Sequence, residues 1–191
     1  MKEYLEASEY IDCDHPEIIT LAKKLAENKR GDVGIAKNCF EWVRDEIKHS
    51  WDLKINKVTC KASEVLQHGT GYCYAKSHLL AALLRANNIP AGLCYQRLSI
   101  YDDGAPYSLH GLNTVYLKDF GWYRVDARGN KKGINAQFLP PHEQLAFSIN
   151  EDNEIDFSEV LVKPNAMVVG VLTKYQNIKD VFNNLPDAIK L

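Results

Sequence analysis

The sequence predicts a mixed α+β fold, with helices in the first half of the chain and an antiparallel sheet after them. Apolar residues recur at helical spacing up to about residue 90, where a long Ala- and Leu-rich run ends at Ile89-Pro90. Beyond Pro90 the apolar pattern changes to a period of two, which is typical of strands. Helices followed by a meander of strands are typical of the α+β class.

Composition limits the functional classes. The chain has 191 residues, of which 46% are hydrophobic and 25% charged, and this length favours a single domain over residues 1–191. A formal net charge of -2 gives no reason to expect a nucleic acid or a membrane as partner. The first residues are acidic where a signal peptide needs an apolar segment, and the five cysteines lack framework spacing. We therefore expect reduced thiols and a cytoplasmic location.

Two amphipathic helices are predicted before residue 50. The first begins near Asp14, a candidate N-cap, and the second begins at Asp32 and carries Cys39 on its apolar stripe. We predict that Cys39 is a core residue. Residues 50–60 have no clear period and predict an irregular connection, whereas residues 62–67 predict a short helical turn.

A central helix is predicted from Cys73 to Asn88, after a loop that contains Gly69 and Gly71. Cys73 then lies in the first turn, where the partial positive charge of the helix favours a thiolate. Taken alone, this pattern is explained at least as well by a cysteine with a packing role as by a nucleophilic cysteine.

The second half of the chain predicts an antiparallel meander and then more helix. The strands cover residues 93–100, 109–117 and 122–127, with a loop at residues 102–106 and a turn at residues 118–121. Little helix is expected over residues 134–163, and C-terminal helices are expected over about residues 164–185.

Three residues of this scheme form a possible catalytic set. A thiol nucleophile needs a base, and the base needs a carboxylate or an amide to fix its tautomer. Cys73, His110 on the second strand and Asp126 on the third supply these groups. A regular hairpin that pairs Lys118 with Gly121 would place Asp126 roughly 10 Å from His110, so contact requires a bulge or strong twist.

The chain resembles transglutaminase-like proteins over about residues 35–130, in three segments that come in the family's order. The segments are Gly71-Tyr72-Cys73-Tyr74-Ala75 with Leu79, Ala82-Leu83-Leu84-Arg85-Ala86 and Ile89-Pro90-Ala91; His110 with Val115-Tyr116-Leu117; and Gly121-Trp122 with Val125-Asp126. Leu112 and Ala127 depart from the pattern, because an aromatic residue and a proline are common there in the family.

The resemblance implies a papain-like core of the bacterial, stand-alone type, with N-terminal helices and a cysteine-bearing helix packed on an antiparallel sheet. It implies Cys73 as nucleophile, His110 as general base and acid, and Asp126 as the orienting carboxylate. Gln67 lies six residues before Cys73, a spacing similar to that of the papain-like oxyanion glutamine. Gln67 is an oxyanion candidate on this ground, and a surface glutamine at the end of a helical turn is the alternative.

The leading hypothesis is a cysteine-dependent acyl-transfer enzyme that acts on an amide bond of a protein or peptide. Water as acceptor would give proteolysis or deamidation, which we favour, and a lysine amine would give crosslinking. The rival hypothesis is an inactive module that binds a protein or peptide. No cofactor or metal is expected, because Cys60, His68, Cys73 and His78 lack the spacing of a zinc site.

Overall fold

The computed structural model describes residues 1–101 and 103–191, and it confirms the predicted mixed fold. Asp102, in the predicted loop at residues 102–106, lies outside the described residues. The helices are a short 3-10 helix (Lys2–Leu5), α1 (Pro16–Ala26), α2 (Gly31–Glu46), α3 (Ala62–His68), α4 (Cys73–Ala86), α5 (Ala166–Lys174) and α6 (Ile178–Asn183). The strands are β1 (Lys48–His49), β2 (Thr70–Gly71), β3 (Ala91–Ser99), β4 (Tyr107–Leu117), β5 (Gly121–Val125), β6 (Gln137–Leu139), β7 (His142–Gln144) and β8 (Ile155–Asp156).

The N-terminus of α1 differs from the prediction by one residue. Pro16 takes the first helical position, where its missing N–H is not needed. His15, rather than Asp14, is the N-cap, and its Nδ1 accepts a hydrogen bond from the backbone N–H of Glu17 at 3.4 Å. Cys39 is fully buried on α2, as predicted.

Helix α4 is the centre of the fold. Every residue from Cys73 to Arg85 is buried, so this helix has no solvent-facing side. The helices α1, α2 and α3 pack against it on one side, and the strands β3 and β4 pack on the other. A helix covered on all sides must be apolar almost throughout, which explains its Ala- and Leu-rich sequence.

The main sheet is antiparallel, with the strand order β5-β4-β3-β8. Leu117 pairs with Gly121 at the hairpin, so the register is shifted by one residue from the predicted pairing of Lys118. The ladder ends where Val125 pairs with Asn113. Asp126 therefore lies just beyond the regular strand, and its position is not fixed by the ladder.

A short parallel pairing joins the end of α2 to the loop before α4. Strand β1 pairs with β2, and His49 lies opposite Gly71. The backbone N–H of Ser50 donates a hydrogen bond to the carbonyl of Gly71 at 3.0 Å. The connection over residues 50–60 is otherwise irregular, as predicted.

The C-terminal segment packs over the edge of the main sheet. The N–H of Leu109 on β4 donates a hydrogen bond to the carbonyl of Pro186 at 2.7 Å. Phe182 on α6 stacks on Trp51 with a ring-centroid distance of 3.9 Å. Over residues 1–101 and 103–191, the helices are all too short or too polar to cross a membrane.

Candidate active site

Cys73 is the first residue of α4, and its thiol borders a cavity of about 730 Å³. The side chain is 8% exposed, so the sulfur is sheltered and still reachable. Gly71 allows the chain just before this helix to pack closely on its surroundings, because a Cβ at position 71 would lie 3.0 Å from Cβ of Ala75 and 3.1 Å from Oγ1 of Thr59.

His110 and Asp126 form a buried hydrogen-bonded pair at the same cavity. His110 lies on β4, and its Nε2 is 2.7 Å from Oδ2 of Asp126. Asp126 also accepts hydrogen bonds from the backbone N–H groups of Arg128 at 3.0 Å and Ala146 at 3.2 Å. These contacts hold the carboxylate just past the end of β5. The chain therefore leaves the regular hairpin at this point, and this departure allows Asp126 to contact His110.

The contact between His110 and Asp126 favours the charged form of each side chain. Burial opposes a charged imidazole, but Asp126, through its charge and its hydrogen bond, and the neighbouring Cys73 raise the pKa of His110 to about 10. Burial likewise opposes a charged carboxylate, but His110 and the two backbone donors lower the pKa of Asp126. Because Nε2 of His110 contacts Asp126, Nδ1 is the nitrogen that remains for proton exchange with the thiol.

Aromatic and cationic side chains form the walls of the cavity. Phe147 packs its edge against the ring of His110, with centroids 4.9 Å apart. Arg128 and Lys131 both contact the carboxylate of Asp52, at 2.8 Å each. Burial opposes the charge of Asp52, but these two cations lower its pKa to about 2. This wall of the cavity is therefore a fixed ion-pair cluster.

A profile of the transglutaminase-like superfamily matches residues 19–127, which is more than half of the chain. The matched region spans Cys73, His110 and Asp126. The chain belongs to the transglutaminase-like superfamily. No curated protein shows a significant sequence match to it.

Three solved structures are similar to this chain at low sequence identity. A protein of Cytophaga hutchinsonii, provisionally named a cysteine protease, is 20% identical, with a TM-score of 0.52, over 65% of this chain and 40% of its own. The periplasmic domain of TgpA from Pseudomonas aeruginosa is 18% identical, with a TM-score of 0.47, over 65% of this chain and 45% of its own. A structure named a TGase is 15% identical, with a TM-score of 0.47, over 97% of this chain and 54% of its own.

This transglutaminase-like chain thus spans only part of each of those proteins, between 40% and 54% of their lengths. At such identities the first of them supports the fold and nothing more.

Gln67 does not reach the site, and the prediction of an oxyanion role for it is wrong. Its side chain is exposed on α3, outside the cavity that Cys73 and His110 line. The buried face of α3 is formed instead by Ala62 and Val65. The spacing of six residues before the cysteine is present, but the helix turns the amide toward solvent.

His49, which no sequence pattern predicts as a site residue, lines the cavity with Cys73. Its imidazole packs edge-on against the ring of Tyr72, with centroids 5.7 Å apart. His49 is a lone histidine, 24 residues before the cysteine, and no local pattern marks it. The parallel pairing of β1 with β2 brings it to the site.

Residues 1–101 and 103–191 contain no group of three or more His, Cys, Asp or Glu side chains placed to hold a metal ion. His78, one of the four zinc candidates, is fully buried, and its Nδ1 lies 2.7 Å from the carbonyl oxygen of Cys60. That ring is used in packing inside the core.

Proposed function

We propose that this protein is a cysteine-dependent acyl-transfer enzyme that hydrolyses an amide bond of a protein or peptide. The observation that carries the proposal is the buried His110–Asp126 pair at 2.7 Å, which borders the same cavity as Cys73. A thiol, an imidazole and a carboxylate in this order are the groups that nucleophilic catalysis at a carbonyl requires.

The first half of the reaction forms a thioester. The Cys73 thiolate attacks the carbonyl carbon, a C–S bond forms, and the C=O electron pair moves onto oxygen. When that pair returns, the C–N bond breaks, and the leaving amine or ammonia takes a proton from the His110 imidazolium. Asp126 holds the ring by Nε2 and stabilises its positive charge.

The second half transfers the acyl group to water. His110, now neutral, takes a proton from the water as its oxygen attacks the thioester carbon. The C–S bond then breaks, which releases the acid and returns the thiolate. Exposed Lys132 and Asn150 at the rim of the cavity leave a path for solvent, which favours water over a second amine as acceptor.

A binding module without activity is the competing function, and the buried ion pair argues against it. Asp126 is almost completely buried, and placing a charged carboxylate in the protein interior is unfavourable unless a partner compensates for it. A module that only binds a peptide has no chemical need for such a pair beside a thiol.

The test uses a generic acyl donor, p-nitrophenyl acetate, and compares the parent protein with Cys73→Ala and Cys13→Ala. The two cysteines are equally exposed, at 8% each, so Cys13 is a matched control. We expect a burst of p-nitrophenolate from the parent and from Cys13→Ala, and none from Cys73→Ala. Peptide mass mapping should locate the acetyl group on Cys73. Casein is then the protein substrate, with ammonia and new N-termini measured separately.

Equal release from all three proteins would overturn the proposal. A Cys73-dependent burst followed by neither ammonia nor new N-termini would reject the amide substrate class, and incorporation of an added amine in preference to water would reject hydrolysis.

A further inference from the structure

The position of His49 beside the nucleophile follows from the strand pairing. His49 lies opposite Gly71 in the parallel β1–β2 ladder, two residues before Cys73. The side chain is nine-tenths buried and borders the cavity, and its ring packs on Tyr72, the residue adjacent to the nucleophile.

The hydrogen bonding of His49 defines which ring nitrogen carries its proton. Nδ1 accepts a hydrogen bond from the backbone N–H of Asp52 at 3.4 Å. The nearest carboxylate oxygen of Asp52 is 3.5 Å from Nδ1, and that carboxylate is held by Arg128 and Lys131. With Nδ1 as the acceptor, the proton of the neutral ring is on Nε2, at the far end of the imidazole.

His49 is held in the neutral state by its surroundings. Burial, the positive charges of Arg128 and Lys76, and a charged His110 lower its pKa well below the usual value, against an opposing effect of Asp52. A neutral imidazole is a hydrogen-bond donor that does not compete with His110 for the proton of the thiol. Within the described part of the chain, Nε2 has no hydrogen-bond partner.

A buried lysine ties the strand of His49 to the helix of Cys73. Lys76 lies one turn after Cys73 and is fully buried. Its Nζ donates hydrogen bonds to the carbonyl oxygens of Ile47 and, at 3.3 Å, Arg44, near the end of α2. Lys76 is thus a positioning residue, because it fixes the backbone just before His49 relative to α4.

We propose that Nε2–H of His49 and the backbone N–H of Cys73 together bind the oxyanion that forms when Cys73 attacks a carbonyl group, a role that rests on the proposed function. The first N–H groups of a helix have no intrahelical partner, so the Cys73 N–H is available. His49 supplies the side-chain donor that Gln67 does not.

The test uses two substitutions that separate the two ring nitrogens. His49→Asn places its amide near the position of Nδ1, so it can keep the contact with the Asp52 N–H while losing the cavity donor. His49→Gln places an amide N–H near the position of Nε2. We expect His49→Asn to lower the rate of acylation by p-nitrophenyl acetate about 100-fold, as is typical for loss of one oxyanion donor. We expect the acylation rate of His49→Gln to be at least about tenfold higher than that of His49→Asn.

Alkylation of Cys73 by iodoacetamide is the second measurement, because that reaction develops no oxyanion on a carbonyl under attack. We expect both variants to be alkylated within about twofold of the parent rate. An acylation rate for His49→Asn within about threefold of the parent would overturn the oxyanion role. So would equal losses in both variants, or a parallel loss of alkylation, since either would indicate a structural role. A parent protein without Cys73-dependent acylation would overturn the proposed function itself.

Discussion

Gly111, the residue after His110, lies against the backbone of Tyr74, the residue after Cys73. A Cβ at position 111 would be 2.9 Å from Cδ1 and 3.2 Å from Cα of Tyr74. The Tyr74 hydroxyl also donates a hydrogen bond to the carbonyl of Leu109. The first turn of α4 and the strand β4 therefore meet at a glycine, and this close approach brings Cys73 and His110 to one cavity.

Gly111→Ala is expected to separate these two elements slightly. Tyr74 is fully buried, so it has little room to move, and overpacking of this kind typically lowers the free energy of unfolding by about 1–3 kcal/mol. We expect the acylation rate to fall at least tenfold, because small misplacements of reacting groups are costly in catalysis. Thermal unfolding and p-nitrophenolate release measure the two effects.

Gly170→Ala on α5 is the matched control for that substitution. A Cβ there meets no atom within 4 Å, and alanine favours a helix, so activity should be unchanged and stability equal or higher. If Gly111→Ala were as active as Gly170→Ala, close contact at Tyr74 would have no part in positioning the thiol.

The sequence predicts the elements that carry the site better than it predicts how they meet. The helix that begins at Cys73 has a strong local signal, because its composition and its flanking glycines and proline agree. The contact of Asp126 with His110 depends on where the ladder ends and on backbone donors from Arg128 and Ala146, which no local pattern specifies. Contacts between segments that are distant in the sequence depend on how the whole chain packs.

The same limit explains why the sequence predicts Gln67 as a site residue and gives no signal for His49. A spacing relative to the cysteine is visible in the sequence, but the face of α3 that is buried is decided by packing against α4. His49 reaches the cavity through a two-residue parallel pairing across a connection of about 20 residues that includes α3. Parallel pairing over such a connection leaves no periodic signal in so short a strand.

Asp126→Asn is expected to reduce the acylation rate by less than Cys73→Ala does. The amide can still contact the ring but stabilises the imidazolium poorly, and a loss of about 10⁴ is typical of this change in a serine-protease triad. In either orientation the NH2 group of the amide faces a backbone N–H, that of Arg128 or that of Ala146, so unfolding should be easier by about 1–3 kcal/mol. Rate and urea unfolding are measured on the same samples, and parent-like activity would remove Asp126 from the catalytic set.

The burial of His78 predicts that the stability of the fold decreases at acidic pH. Burial lowers its pKa to about 4, against the usual value of about 6.5 in the unfolded chain. Between these values the unfolded state binds more protons, so the stability that neutral His78 contributes is present above pH 6.5 and is lost as pH falls toward 4. His78→Asn keeps a donor for the Cys60 carbonyl but does not titrate. Between pH 6.5 and 4, the free energy of unfolding of the His78→Asn variant should therefore fall by up to about 3 kcal/mol less than that of the parent. If urea unfolding gave the same pH dependence of this free energy for both proteins, His78 would not be the source of the acid sensitivity.

Selective alkylation distinguishes Cys73 from the other four thiols. Burial raises the pKa of Cys39, Cys60 and Cys94 to about 12 each, and it also raises the pKa of Cys13. Cys73 instead lies at the N-terminus of α4 and borders the same cavity as His110, so a helix terminus and an imidazolium can both stabilise the sulfur as it reacts. Limiting iodoacetamide at about pH 6, far below the ordinary thiol pKa of about 8.5, should therefore label Cys73 first in a peptide map. His110→Asn should slow this labelling, because the imidazolium is lost, while the helix terminus preserves part of the preference. Faster labelling of any other cysteine at this pH would be incompatible with Cys73 as the activated nucleophile.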